Sequence, residues 1–166
     1  VRTLDRLAHN VAKQLMIDSI EIATLLFDST FQQKMGYDKE TMACMFIPET
    51  YQVYWDMSAD SFFERMQKEH KRFWNDERLA KAQAIGMTPE EVCTLASIVE
   101  EETNNNGEKP MVAGLYINRL QRGMPLQADP TIKFALQDFG LRRITNENLR
   151  VESPYNTYIN TGLPPG

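Results

Sequence analysis

Thr88-Pro89-Glu90-Glu91-Val92-Cys93-Thr94-Leu95-Ala96-Ser97-Ile98-Val99-Glu100-Glu101-Glu102-Thr103 is the stretch on which the reading of this chain turns. A threonine that can accept a backbone N–H, a proline at the first helical position and two acids in the first turn make a strong helix start. They predict a helix over 89–103, stopped by Asn104-Asn105-Asn106-Gly107. At about 100° per residue, Val92, Leu95, Ala96, Ile98 and Val99 gather on one face, and Glu102 falls about 50° from its centre. Glu100 and Glu101 fall about 110° and 150° away. Of three consecutive acids, only Glu102 continues the line of Leu95 and Val99 toward a core or a cleft.

A carboxyl so placed should hold its proton more tightly than a solvated glutamate. Burial disfavours the charged form, two neighbouring carboxylates repel it, and the last turn of a helix carries negative partial charge. An acid kept protonated near neutrality is what general-acid cleavage of a glycoside requires. The competing reading is structural: an acid at a helix end, hydrogen-bonded to the turn over 104–107.

Working outward, Leu4, Leu7, Val11 and Leu15 follow Thr3 at helical spacing, and Ile20, Ile22, Leu25 and Leu26 follow Ser19. Residues 1–43 therefore read as a helical packing segment, interrupted at Gly36-Tyr37-Asp38. The β-type residues over 45–54, with Pro48 among them, predict an extended edge, where proline is tolerated. Ser58 or Asp60 should cap an amphipathic helix to about residue 75, with Phe62, Met66 and Phe73 facing inward, before a shorter helix over 76–85 ended by Gly86. Downstream, a helix over 110–121 stops at Gly123, an extended piece covers 124–127, and Asp129-Pro130 opens a short helix ahead of a loop-rich tail. The predicted fold is a predominantly helical α+β domain with short strands near 45–54 and 124–127. It forms one domain, with 1–43 as its packing segment and 44–166 holding the candidate site residues.

The chain has 166 residues, 42% of them hydrophobic and 25% charged, which excludes collagen, coiled coil and wholesale disorder. A net charge of −5 argues against nucleic acid, whose backbone selects a basic stripe. No apolar run reaches the roughly 20 residues of a membrane span. Val1 is not a natural start and Leu163-Pro164-Pro165-Gly166 reads as mid-loop, so a segment of a longer protein is expected. Cys44 and Cys93 sit among apolar neighbours and read as buried free thiols. His9 and His70 stand alone, which leaves little for a histidine metal site or a Ser-His triad. No metal and no cofactor is expected. Asn118, Gln127, Asp129, Tyr155, Asn156, Thr157 and Tyr158 are of the polar and aromatic kind that binds sugars, since amides match hydroxyl pairs and phenol faces stack on pyranose rings.

Four motifs, in order, carry a resemblance: Leu95 to Thr103, Val112 to Leu120, Gly123 to Thr131, and Tyr155-Asn156-Thr157-Tyr158 with Gly162 to Gly166. They resemble those of the endolytic murein transglycosylase (MltG, YceG-like) family, and Phe46-Ile47-Pro48-Glu49-Thr50-Tyr51 looks like a fifth. The resemblance departs in two places: Glu101 stands where the family commonly has lysine, and Ala43-Cys44 replaces its usual Glu-Gly.

The resemblance implies a bacterial inner-membrane enzyme facing the periplasm, with a membrane anchor and a LysM-like subdomain upstream of this chain. It implies cleavage of the β-1,4 bond between N-acetylmuramic acid and N-acetylglucosamine in peptidoglycan strands, with closure of a 1,6-anhydro ring. The family's catalytic glutamate falls on Glu102. Glu49, Asn118, Gln127, Asp129, Tyr155, Asn156 and Tyr158 are expected to position substrate, with Asp129 or Glu49 open as a second carboxylate. Peptidoglycan synthases and divisome proteins are the protein partners it suggests. Two alternatives stay open, a muramidase using water and a non-catalytic glycan-binding or divisome scaffold module. A pyridoxal-phosphate lyase would use Lys109 or Lys133 but lacks a Gly-rich phosphate cup.

Overall fold

The computed structural model describes residues 2–166. The chain divides into two compact units, the first ending at Leu79 and the second running Ala80–Gly166.

In the first unit, α1 (Leu4–Ala12) begins on Thr3, whose hydroxyl accepts the Arg6 N–H. The start of α2 (Ser19–Phe27) is capped by Asp18 rather than by Ser19, its carboxylate accepting the Ile20 N–H at 2.8 Å. Asp28 ends α2 and caps α3 (Ser29–Met35), accepting the Phe31 N–H at 2.6 Å. Gly36 takes the left-handed conformation that closes α3. After a 3₁₀ turn at Met42–Met45, α4 (Ala59–Phe73) starts on Ser58 and buries Phe62, Phe63 and Met66. Ile22, Leu26, Met42, Met45 and Phe63 form the solvent-free centre, with Phe31 edge-on to Phe63 at 4.9 Å between centroids. Cys44 is a buried free thiol and Cys93, in the second unit, is half-buried.

The helix α5 (Asp76–Ala84) runs across the division between the units, and Gly86, at φ 73°, follows it. The second unit is built on α6 (Pro89–Glu102), α7 (Lys109–Gln121) and α8 (Asp129–Ala135). The start of α6 is a reciprocal box: Thr88 accepts the Glu91 N–H at 3.2 Å and Glu91 accepts the Thr88 N–H at 2.8 Å. Leu95, Ile98 and Val99 of α6 pack with Tyr116 of α7 and with Leu126 and Ala128 ahead of α8.

No strand forms among the described residues, so the α+β expectation is corrected to an all-helical fold. Over 45–54 the chain bonds locally instead of pairing. Pro48 lacks an N–H to donate, and the Tyr51 hydroxyl reaches back to the Ile47 carbonyl at 2.6 Å, rounding the segment. Over 124–127 a different cause acts. Gln127 sits at φ 54°, which breaks the pleat, and the Met124 N–H turns back to the Arg119 carbonyl at 2.8 Å to finish α7. The bond from the Gln127 N–H to the Thr157 carbonyl, 3.0 Å, is not continued into a ladder.

The box makes a measurable claim. Thr88→Ala removes one acceptor and frees Glu91, and should lower stability by about 1 kcal/mol, read as a shift of the urea midpoint at unchanged slope.

Candidate active site

Glu102 is the last residue of α6, and its side chain is exposed. Its charge acts on Tyr116 of α7, and the depth that the wheel led us to expect is not there, since the residue meets solvent. The turn that follows is satisfied by other groups. Thr103 donates to Glu108 at 2.9 Å, Asn105 donates to Glu108 at 3.0 Å, and the Gly107 N–H bonds to Asn105 at 3.0 Å. Glu100 points elsewhere, to an ion pair with Lys109 at 2.5 Å.

Toward Glu102 come two phenols. Tyr116, on α7, is 3% exposed, and Glu102 is near enough for its charge to act on the phenol. Burial, and then the Glu102 charge, push the Tyr116 phenol well above its ordinary value. Tyr158, from the tail, donates to Asp129 at 2.6 Å. Its phenol is pushed up to about 12, first by burial, then by the bond to Asp129 and the charges of Asp129 and Glu102. Arg119, one turn along α7 from Tyr116, opposes both shifts and bonds through Nη1 to the Leu126 carbonyl. The structure thus brings together Glu102, Tyr116, Arg119, Asp129 and Tyr158.

The tail reaches this place through a buried latch. The Thr157 hydroxyl accepts the Ala128 N–H at 3.0 Å and shares a hydrogen with the Thr131 hydroxyl at 2.9 Å. Asn156 is fully buried, its amide donating to the carbonyls of Leu149 (3.0 Å) and Val151 (2.8 Å) and accepting the Tyr158 N–H (2.9 Å). Those bonds occupy the amide in holding the tail. Tyr155 packs its ring on Phe134 at 4.7 Å between centroids. Asn118 is exposed on α7 and Gln127 is exposed ahead of α8. Glu49 belongs to the first unit, where its carboxylate accepts the Thr50 N–H at 2.9 Å.

Sequence reading passed over Tyr116 and Arg119. Both lie in the quoted stretch from Val112 to Leu120, three apart, a spacing that places two side chains on one helix face. An open apolar cavity of about 430 Å³ also lies in the second unit, between α6 and α7, lined by Val92, Ala96, Ala113 and Ile117 among others. None of the residues gathered about Glu102 lines it.

Fold and site define an all-helical protein with a solvent-open carboxylate at a helix end, near two protonated phenols on which one guanidinium acts. The chain belongs to the YceG-like family, whose model matches residues 1–166. It is similar to the endolytic murein transglycosylase of Bacillus subtilis, 44% identical over 73 residues, which are 44% of this chain and 20% of that protein. It is also similar to the endolytic murein transglycosylase of Streptococcus pneumoniae, 38% identical over 84 residues, 48% of this chain and 15% of that protein. A crystal structure of a YceG-like protein from Listeria monocytogenes superposes with a TM-score of 0.74 at 29% identity, covering 99% of this chain and 59% of that one. The matched stretches thus span a fifth or less of the curated relatives' length.

Two substitutions test how the site is held. Thr157→Val strands the Ala128 N–H and removes the Thr131 partner, and should cost about 1–3 kcal/mol in urea unfolding. Asp129→Asn removes the anionic acceptor of Tyr158. In a near-ultraviolet tyrosinate titration, the transition assigned to Tyr158 by comparison with Tyr158→Phe should move down from about 12 toward the ordinary 10.0. The sign follows from linkage. Because the folded value lies above the unfolded one, the stability Tyr158 contributes is whole below pH 10.0 and is lost as pH rises through about 12.

Proposed function

We propose that this chain carries the catalytic part of a lytic transglycosylase that cuts peptidoglycan glycan strands, with Glu102 as both acid and base. Membership of the YceG-like family and the names of the murein-cleaving relatives support the substrate class. The observation that carries the mechanism is the setting of Glu102, an exposed carboxyl with protonated phenols beside it, while Asp129 is already held by Tyr158 at 2.6 Å.

In the first half of the reaction Glu102 gives its proton to the glycosidic oxygen as the bond from the muramoyl C1 breaks. In the second, the muramoyl C6 hydroxyl adds to C1, and its proton passes to the Glu102 carboxylate. The bond count balances without water, and the glutamic acid is restored. One carboxyl suffices because the nucleophile belongs to the substrate, whereas hydrolysis needs a second carboxylate about 5–9.5 Å away to attack or to activate water. Exposure of Glu102 suits a polymer that enters from the side. Gln127 and Asn118, both exposed, and the Tyr155 and Tyr158 rings supply groups to hold it. Action on this polymer puts the reaction on the cell-wall side of the membrane. Among the described residues no helix is long and apolar enough to cross a membrane.

Mass spectrometry of muropeptides, after incubating un-crosslinked strands with the protein at its natural length and with its Glu102→Gln variant, tests this reading. Anhydro-ended fragments should accumulate with the wild type and fall at least a hundredfold with the variant. Hydrated ends from the wild type would reassign it as a muramidase, and binding without cleavage would make it a scaffold.

A further inference from the structure

The first unit exposes two aromatic rings that its own core does not use. Tyr54 is 83% exposed and Trp55 64%. They are consecutive residues of the turn from Tyr54 to Met57, which closes through the Met57 N–H to the Tyr54 carbonyl at 3.3 Å. Among the described residues neither ring meets another ring, whereas Trp74 is half-buried and packs on Phe73 at 5.6 Å between centroids. A third exposed apolar residue joins them, since the Met16 N–H bonds to the Trp55 carbonyl at 3.0 Å. Single exposed apolar side chains are ordinary, but adjacent ones mark a surface that something else covers.

The backbone under these rings is fixed. Tyr51 before the turn and Met57 after it pack on the core of the first unit, and Ile17, next to Met16, is buried in that core. A surface tied down in this way has little ordering left to oppose binding.

The charges around the turn select the ligand. Between Thr41 and Arg65 the chain has no lysine, arginine or histidine, but it carries Glu49, Asp56, Asp60 and Glu64. Such a segment repels an anionic bilayer or a phosphate backbone. Three apolar side chains also fall far short of the roughly 20 residues a side that a stable protein interface takes. A neutral pyranose fits both the size and the chemistry. Its C–H face suits the negative face of an aromatic ring, and Gln52 and Asp56, both exposed, offer an amide and a carboxylate to the hydroxyls at its rim. We propose that the turn carrying Tyr54 and Trp55 is a second glycan-binding surface, on which sugar rings of the peptidoglycan strand stack, in addition to the residues gathered about Glu102 in the second unit. This rests on the reading of a glycan strand as substrate given above.

The test is the binding of un-crosslinked glycan strands to the protein at its natural length, with Glu102→Gln present throughout to keep the strands intact. Tyr54→Ala together with Trp55→Ala should raise Kd about tenfold or more. Because both side chains are exposed, the melting temperature should stay within about 2 °C. Trp55→Phe keeps an aromatic face, so it should hold Kd within about threefold while losing the blue shift of tryptophan emission that strands induce. An unchanged Kd in the double variant, or a blue shift that survives Trp55→Phe, overturns the proposal. So does a Trp55 blue shift with phosphatidylcholine vesicles and none with strands, which would give the turn to a membrane surface, or one that follows protein concentration alone, which would give it to a second copy of the chain. Strands neither bound nor cut by the wild-type protein would instead overturn the reading on which the proposal rests.

Discussion

The hydroxyl of Thr157 is the group on which the second unit depends. It accepts the Ala128 N–H and shares a hydrogen with Thr131, and its own carbonyl takes the Gln127 N–H. The hydroxyl's bonds lie where water does not reach, since Thr157 is 2% exposed, Thr131 is 4% exposed and Ala128 is closed to solvent. In such a place no solvent molecule replaces a lost partner, so the set is kept or lost together. The consequence is register. With Thr157 facing inward, Tyr158 comes over Asp129 and Asn156 lies under the turn that precedes it. A tail rich in loops thereby acquires a position accurate enough to bring a phenol toward Glu102.

How far this was legible in the sequence depends on the range of the interactions. The start of α6 could be read because a capping box is made by residues three apart. The same holds for the glycine stops at Gly36, Gly86 and Gly123, all of which take positive φ. The pairing of Tyr158 with Asp129 spans 29 residues and has no local signature. The two tyrosines and the asparagine of the tail looked alike as sugar-binding groups. Only their surroundings separate an amide engaged in holding the tail from a hydroxyl turned toward the site. Asn156 shows why residue type is a poor guide here, because its amide has the chemistry of a sugar ligand and is engaged on three sides by backbone.

The misread strands have a related cause. Segments 45–54 and 124–127 carry residues that favour extended backbone, but neither forms a strand. A strand requires in addition a neighbour with free donors and acceptors at matching spacing. Around Pro48 the bonds turn inward, and at Gln127 a positive φ turns the chain before a ladder could grow. The wheel for α6 failed in another way. It assigns a direction about the helix axis and says nothing of depth, and at the last residue of a helix the packed neighbours thin out. Glu102 therefore lies on the apolar side of the wheel and still meets solvent.

That exposure changes what the site has to accomplish. A buried carboxyl is governed by desolvation, whereas around an exposed one the nearby charged and polar groups matter more. The two phenols are suited to the task because their protons are held firmly, by burial and by the very carboxylates they face. A direct ion pair between Glu102 and Arg119 would favour the carboxylate strongly and weaken it as an acid. Arg119 instead bonds through Nη1 to the Leu126 carbonyl, where its charge reaches Tyr116 and Tyr158. The bond has a second effect, for it steadies the segment leading to Ala128, the same residue whose N–H meets Thr157. One guanidinium thus links α7 to the segment that receives the tail, so the place of Tyr158 and the register of the latch follow from the same few contacts.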